Sequence, residues 1–378
     1  MFSVGLAWLV YRLTGSSLAV GITLTMQVTP ALVFGIVAGP AADVVDRRRL
    51  LVTCDVLRAI IVLVLGVAAW LGKIPLPAVY VATFLLFSAS CFYEPTLGAT
   101  IPRLVEMSAL TRANALASMG REVSDMTGRA LGGFVVQLYG ASVAFFGDAL
   151  SFLLAALATI GALCGQIAPR STSHRRITLA WGQALGELSR NVLAFRAIAY
   201  VVIINVTVGP LSVALPVIAD RNGIGALGFG TMSASVAAGA LAGASLAPLM
   251  KRRLGGLSLP LATGLYSLLL PLAGVANTPL VTFPALVVAG GLMTLSMVCA
   301  TTLLQETVPV EMLGRALSAR GMMLRAIAPI MLLSSGALLS RLTPGLVLAI
   351  YAALGGLMLV AVEALARLRA RTAARVAK

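Results

Sequence analysis

Ionisable side chains inside long apolar stretches are the residues of this sequence that could do chemistry. The most charged stretch carries Arg121, Glu122, Asp125 and Arg129, and the next stretch carries one charge, Asp148. An ionisable group at the centre of a membrane-spanning helix costs about 2.5–3.5 kcal/mol on insertion scales, so it marks a functional site or a paired bridge. Arg121, Asp125 and Arg129 recur every four residues and therefore share one helix face.

Depth along these two stretches predicts a contact between Arg129 and Asp148, with Asp125 nearby. At about 1.5 Å per residue, Arg129 lies about 21 Å from one interface, and Asp148 about 20 Å from the same interface of a core about 30 Å thick. If both bases of the group are paired, one of its three acids remains and could carry a proton. A neutral structural network with no role in transport is the alternative.

Other polar side chains in apolar stretches are candidates for the path of a solute. Glu94 precedes a proline, which breaks the helical hydrogen-bond ladder and can expose carbonyl groups to a cavity. Gln27 and Asn205 could also line such a path, or they could join helices by hydrogen bonds. Asp55 and Arg58 are three residues apart, and this spacing predicts a local ion pair.

The cysteine and histidine content offers no basis for metal chemistry. The four cysteines lie in apolar stretches without metal-ligand spacing, and the one histidine, His174, lies in a polar segment. The sequence also contains no glycine-rich loop with the Lys-Ser or Lys-Thr pair that binds nucleotide phosphates. We therefore expect no metal, no cofactor and no enzymatic activity.

The composition requires a membrane to position these side chains. Of the 378 residues, 59% are hydrophobic and 11% are charged, and the mean hydropathy is +0.99. Such a chain cannot cover itself with a polar surface, which excludes a water-soluble enzyme and a disordered chain. Eleven apolar stretches are each long enough to span a bilayer, and a half-length stretch, Met1–Tyr11, precedes them. The sequence predicts an all-α polytopic membrane protein with twelve helices.

The distribution of the basic residues predicts the orientation of these helices. The net charge is +15, and 19 of the 28 basic residues fall on one side of the predicted spans, against 4 on the other. Because lysine and arginine accumulate in cytoplasmic loops, the charge reflects topology and no nucleic-acid partner is expected. We expect a plasma (inner) membrane protein whose central linker and C-terminus are cytoplasmic.

The chain divides into two similar halves. We expect six-helix halves over 1–165 and 197–366, a linker over 166–196 with an amphipathic helix at Leu179–Phe195, and a basic tail over 367–378. The halves repeat, since a Thr-Ile-Pro at position 100 is matched by a Thr-Val-Pro 207 residues later. Halves of the same polarity imply a pseudo-two-fold axis along the membrane normal and a central cavity.

The loop after the second predicted span resembles the signature loop of the major facilitator superfamily. That resemblance implies the two-halved fold of these transporters and a conformational latch in this loop, whereas a topogenic charge cluster is the alternative. Val44 and Asp46 depart from the family pattern, which has a basic residue and glycine there. The positions that match, and that would form the latch, are Gly39, Asp43, Arg47 and Arg48.

Further segments are similar to one branch, the enterobactin exporter and macrolide-efflux proteins. They begin at Trp8, Asp55 and Asp148, and the resemblance covers nearly the whole chain. Members of this branch start well before the Trp8 segment, so we expect the first helix to be truncated. Gly128–Gly133 also resembles the glycine motif of proton-linked antiporters, with Arg129 in place of proline.

These features predict a secondary transporter that works by alternating access. The expected function is proton-coupled efflux of a hydrophobic or siderophore-like small molecule. Its expected partners are that solute, protons and the lipid bilayer, and a monomer is expected. The alternatives are an uptake permease of the same fold, a non-transporting membrane relative and a lipid-modifying membrane enzyme.

Overall fold

The described part of the protein is all-helical, as predicted. The computed structural model describes residues 2–106, 109–162, 191–275, 278–308 and 310–376, and within these ranges helices are joined by short turns without any strand. The side chains of residues 39–44 and of Glu122 lie outside the described part of the chain. The linker up to residue 190 lies outside it as well, together with most of the predicted amphipathic helix.

The first compact unit is formed by five helices and the segment Gly223–Ser233. The five helices are α1 (Phe2–Thr14), α2 (Ser17–Val44), α3 (Arg47–Trp70), α4 (Leu76–Leu104) and α5 (Leu110–Ala162).

The second compact unit takes the rest of the described chain. Asn191 caps the start of its first helix by accepting hydrogen bonds from the amides of Leu193 and Ala194, each at 3.1 Å. The six helices from this point are α6 (Val192–Arg221), α7 (Gly225–Leu254), α8 (Ser258–Val275), α9 (Pro279–Thr307), α10 (Val310–Leu339) and α11 (Pro344–Val376).

Nine segments of the described chain are long and apolar enough to cross a membrane. Two of them, Val123–Ala162 and Gly225–Val275, have 40 and 51 residues, so each is long enough to cross a core of about 30 Å twice at about 1.5 Å per residue. Gly140 divides the first with backbone angles of φ 82° and ψ 170°, which a side chain would disfavour. Counted this way, the described segments provide the eleven predicted spans, and Phe2–Thr14 is a shorter apolar helix.

Large apolar side chains cover the outer faces of the helices. Trp70, Leu268 and Leu280 are 73%, 72% and 85% exposed. Contiguous apolar surface of this kind is not stable in water, whereas lipid tails accommodate it. The protein is therefore an integral membrane protein.

Small residues allow close helix packing in both units. In the second unit, Gly239 and Gly243 of α7 lie directly against the backbone of α9 at Val287 and Gly291. A Cβ atom on Gly239 would lie 1.9 Å from the carbonyl oxygen of Val287, so only glycine fits there. In the first unit, Gly66 of α3 packs against the ring of Phe146 in the same way. Such contacts replace the hydrophobic effect, which does not drive helix association in lipid.

Candidate functional site

A buried ion pair lies inside the first unit, on α3. Arg58 Nη1 donates to Asp55 Oδ1 at 3.2 Å, and the two side chains are 7% and 1% exposed. The guanidinium carbon also lies 4.2 Å from the ring centroid of Tyr93 and 5.6 Å from that of Phe152. These cation–π contacts come from α4 and α5 and stabilise the charge where water is excluded. The predicted local pair is confirmed.

The second oxygen of this carboxylate remains without a hydrogen-bond partner. Asp55 Oδ2 and Arg58 Nε are both inaccessible and make no hydrogen bond with the described residues. An unsatisfied buried acceptor is costly, and protonation would lower that cost. Asp55 Oδ2 can therefore accept a proton in addition to the ion pair that Oδ1 forms with Arg58.

The charges on α5 are arranged differently from the prediction. Arg129 Nη2 lies 2.8 Å from Asp125 Oδ2, and Nε donates to the same oxygen at 3.0 Å. The two side chains are 45% and 56% exposed, so this pair lies on the surface of the unit. The predicted contact of Arg129 with Asp148 is wrong, because the carboxylate four residues earlier on the same helix face takes that place. Asp148 is half-buried on the other side of the Gly140 bend.

The predicted latch loop is mostly helix. Helix α2 continues to Val44, and Asp46 begins α3 by accepting from the amide of Arg49 at 2.8 Å. This helix cap explains why an aspartate can replace the glycine of the family pattern. Arg48 Nη2 donates to the carbonyl of Ile160 at 3.0 Å, and Arg47 is buried. Arg48 thus joins the start of α3 to the end of α5, whereas the side chain of Asp43 lies outside the described residues.

The path candidates occupy separate positions. Gln27 of α2 is half-buried, and its inaccessible Nε2 makes no hydrogen bond within the described chain. Glu94 of α4 is exposed. Asn205 of α6 donates from Nδ2 to the carbonyl of Val201 at 2.9 Å, which is a contact within its own helix. Of the three, only Gln27 keeps an unused buried donor.

The first turns of α7 pack on the helices of the first unit. Gln137 Oε1 accepts from the amide of Ala226 at 2.9 Å, and the ring centroid of Phe229 lies 6.4 Å from that of Trp8. Gly133 of the antiporter-like segment lies against Gly230, where a Cβ atom on Gly133 would lie 2.7 Å from the Gly230 Cα atom. This glycine therefore allows the two backbones to come into direct contact.

The second unit contains a polar cluster of Arg196, Tyr200 and Glu363 that the sequence did not predict. Arg196 Nη2 lies 2.6 Å from Glu363 Oε1, and the hydroxyl of Tyr200 donates to the same oxygen at 2.5 Å. Arg196 and Glu363 are 167 residues apart, so no local spacing could reveal this contact. Lys251 and Glu306 form a second ion pair that joins the ends of α7 and α9.

One arginine of the second unit has no carboxylate partner among the described residues. Arg320 of α10 is half-buried, and its Nη2 contacts the thioether sulfur of Met297 at 3.7 Å. Its Nε is inaccessible and makes no hydrogen bond in the part of the chain that the structure describes. The sequence shows this residue as a charge just after the start of an apolar span, but no acid at helical spacing predicts a partner for it.

The described residues contain no group of three histidine, cysteine, aspartate or glutamate side chains that could hold a metal ion. The charged and amide side chains described above include ion pairs, the amide of Asn205 and the guanidinium of Arg320. Helical spans that enclose such groups are typical of polytopic transport proteins.

The chain belongs to the transmembrane secretion effector family of the major facilitator superfamily, whose family model matches residues 1–377. Macrolide efflux protein A from Streptococcus pyogenes is 23% identical over 144 residues, or 38% of this chain. The match spans 36% of the length of that protein.

Solved transporters share the fold at low sequence identity. The nucleoside transporter NupG has a TM-score of 0.72 and 15% identity, with 96% of this chain and 95% of that chain covered. A bacterial homologue of the human lysosomal transporter Spinster has a TM-score of 0.74 and 14% identity, with 98% and 92% covered. The predicted major facilitator fold is therefore confirmed.

Proposed function

We propose that the protein exports a hydrophobic or siderophore-like small molecule by proton-coupled alternating access. The observation that carries the proposal is the set of ionisable groups inside the spans of a chain from this family. A charged residue inside a span costs more to insert than an apolar one, so its presence supports a functional role. The similarity to a macrolide efflux protein supports the outward direction.

The coupling site is proposed in the first unit. The half-exposed pair of Asp125 and Arg129, with Glu122 and Asp148, is the proposed proton-coupling network. The buried carboxylate of Asp55 is a second acceptor for a proton, since one of its oxygens is unused. Protonation of the buried Asp55 would weaken its bond to Arg58 and change the cost of burying both groups.

The setting of this activity is proposed from the charge distribution. The protein lies in the plasma (inner) membrane, with the linker and the C-terminus in the cytoplasm, because basic residues concentrate there. It works as a monomer. Gly39, Asp43, Arg47 and Arg48 act as the latch between conformations. The resemblance of the sequence around these residues to the superfamily signature supports this role.

An efflux screen tests the proposed function. The protein is expressed in a bacterial host that lacks its own export pumps, and a panel of apolar antibiotics and catechol-bearing chelators is applied. We expect a several-fold rise in tolerance to at least one compound, which Asp125→Asn abolishes at equal expression. Arg221→Gln, at the far end of α6, serves as the matched charge control. Unchanged tolerance across the panel would contradict export, and accumulation of a compound would favour the uptake permease.

A further inference from the structure

The side chain of Arg320 faces the inside of the second unit. Ala316 and Leu324 are one turn before and after it on the same face of α10. Ala316 belongs to a buried cluster with residues of α6, and Leu324 packs against the cluster that contains Tyr200. The side chain between them therefore points toward α6 and α9, where it contacts Met297.

The positions of Arg320 on α10 and of Met297 on α9 give the same depth in the membrane. Helix α10 has 30 residues and α9 has 29, so each is about 44 Å long at about 1.5 Å per residue. If each helix is centred in the bilayer, Arg320 and Met297 both lie about 6–7 Å from the midplane, inside a core about 30 Å thick. Both lie on the side of the midplane where α10 begins and α9 ends.

None of the three acids whose side chains are described in the second unit pairs with Arg320, and the side chain of Glu311 lies outside the described residues. Glu306 pairs with Lys251, and Glu363 pairs with Arg196. Arg320 lies on the side of the unit where α6 begins. Asp220 lies near the opposite end of α6, 28 residues or about 42 Å along the helix from its first residue, Val192. A guanidinium in an apolar site without a counter-charge is unfavourable, so a bound anion would lower the cost of this arrangement.

We propose that Arg320 binds the acidic group of an amphipathic, negatively charged solute. The guanidinium presents parallel N–H donors that fit the oxygens of a carboxylate, sulfonate or phosphate. Met297 contacts the guanidinium, and Met323 and Leu324 lie one turn further along α10. Flexible thioether side chains adapt to apolar groups of varied shape. This inference rests on the proposed transport function and assigns it a solute with an oxyanion joined to an apolar body.

The test begins with the unliganded protein. The melting temperature is measured in detergent with a thiol-reactive dye, which reports the exposure of the buried Cys54 and Cys299. Removal of an uncompensated charge by Arg320→Met should leave the melting temperature equal or raise it. A fall of several degrees would overturn the proposal, because it would show that Arg320 serves a structural carboxylate partner.

Ligand selectivity is measured in the same assay with naphthalene-2-sulfonate and its neutral sulfonamide. We expect the sulfonate to raise the melting temperature of the wild type by several degrees and the sulfonamide to leave it unchanged. Arg320→Met should lose the shift, whereas Arg325→Met, an exposed arginine on the same helix, should retain it. A wild type that responds to both compounds equally or to neither would overturn the proposal.

Two further arms separate the sources of the anion and the two proposals. Phosphatidylglycerol that reproduces the Arg320-dependent shift, in place of the sulfonate, would assign the site to lipid and contradict a solute site. The assay needs no gradient and no transport. A protein that binds the sulfonate through Arg320 but fails the efflux screen would therefore contradict only the proposed function.

Discussion

Two ion pairs in the first unit have the same chemistry and different surroundings. Asp55 and Arg58 are almost fully buried between three helices, whereas Asp125 and Arg129 lie half-exposed on α5. Each pair joins residues one turn apart on one helix. The surroundings therefore decide how much each pair contributes, since a buried charge that loses its partner has no water to replace it.

A matched pair of substitutions measures this difference. Arg58→Met leaves the Asp55 carboxylate buried without a partner and should cost about 3–5 kcal/mol, seen as lost expression or a lower melting temperature. Arg129→Met, the same change in the exposed pair, should cost less than about 1 kcal/mol. Adding Asp55→Leu to Arg58→Met should recover most of the loss. Equal effects of the two single changes would show that burial does not set the value of these pairs.

Residue spacing along the sequence predicts contacts within one helix but not contacts between helices. The Asp55–Arg58 pair was predictable because both partners lie on one turn of one helix. Depth placed Arg129 and Asp148 at the same height, but depth does not fix which way a helix face points, so their contact was predicted wrongly. The Arg196–Glu363 contact depends on how two distant helices pack, and no local pattern carries that information.

Among the elements, close helix contacts depend on single glycines. Gly239→Ala would place its Cβ atom in the backbone of α9, so α7 and α9 must separate. We expect a loss of several degrees in melting temperature. Gly147→Ala is the matched control: this helical glycine on α5 has open space around it, and alanine should stabilise the helix by about 0.5–1 kcal/mol. A tolerated Gly239→Ala would mean that the α7–α9 contact is looser than described.

The length of the apolar stretches predicted the spans well, whereas the polar residues at their ends did not predict where the helices end. The predicted loop from Gly39 to Leu50 contracts to Val45 and Asp46, because the residues around Asp43 continue α2. Similarly, α11 continues as a helix to Val376 through the basic segment expected to be a tail. Charge shows where a helix leaves the membrane, whereas hydrogen-bond capping and backbone geometry decide where it ends.

For the whole molecule, the orientation in the membrane is open to direct measurement. In a cysteine-free background, Ser173→Cys should react with a membrane-impermeant maleimide only after the cells are permeabilised, because the basic linker is proposed to be cytoplasmic. Lys73→Cys, in the turn between α3 and α4, should react in intact cells. The reverse labelling pattern would invert the topology.

The central claim is that a proton gradient drives solute movement through this protein. The direct measurement is accumulation of the solute identified in the efflux screen, in proteoliposomes with an imposed pH gradient. We predict accumulation that an uncoupler abolishes, and an Asp125→Asn protein that folds but no longer responds to the gradient. Accumulation that is the same with and without the gradient, or an Asp125→Asn protein that still responds to it fully, would contradict the account.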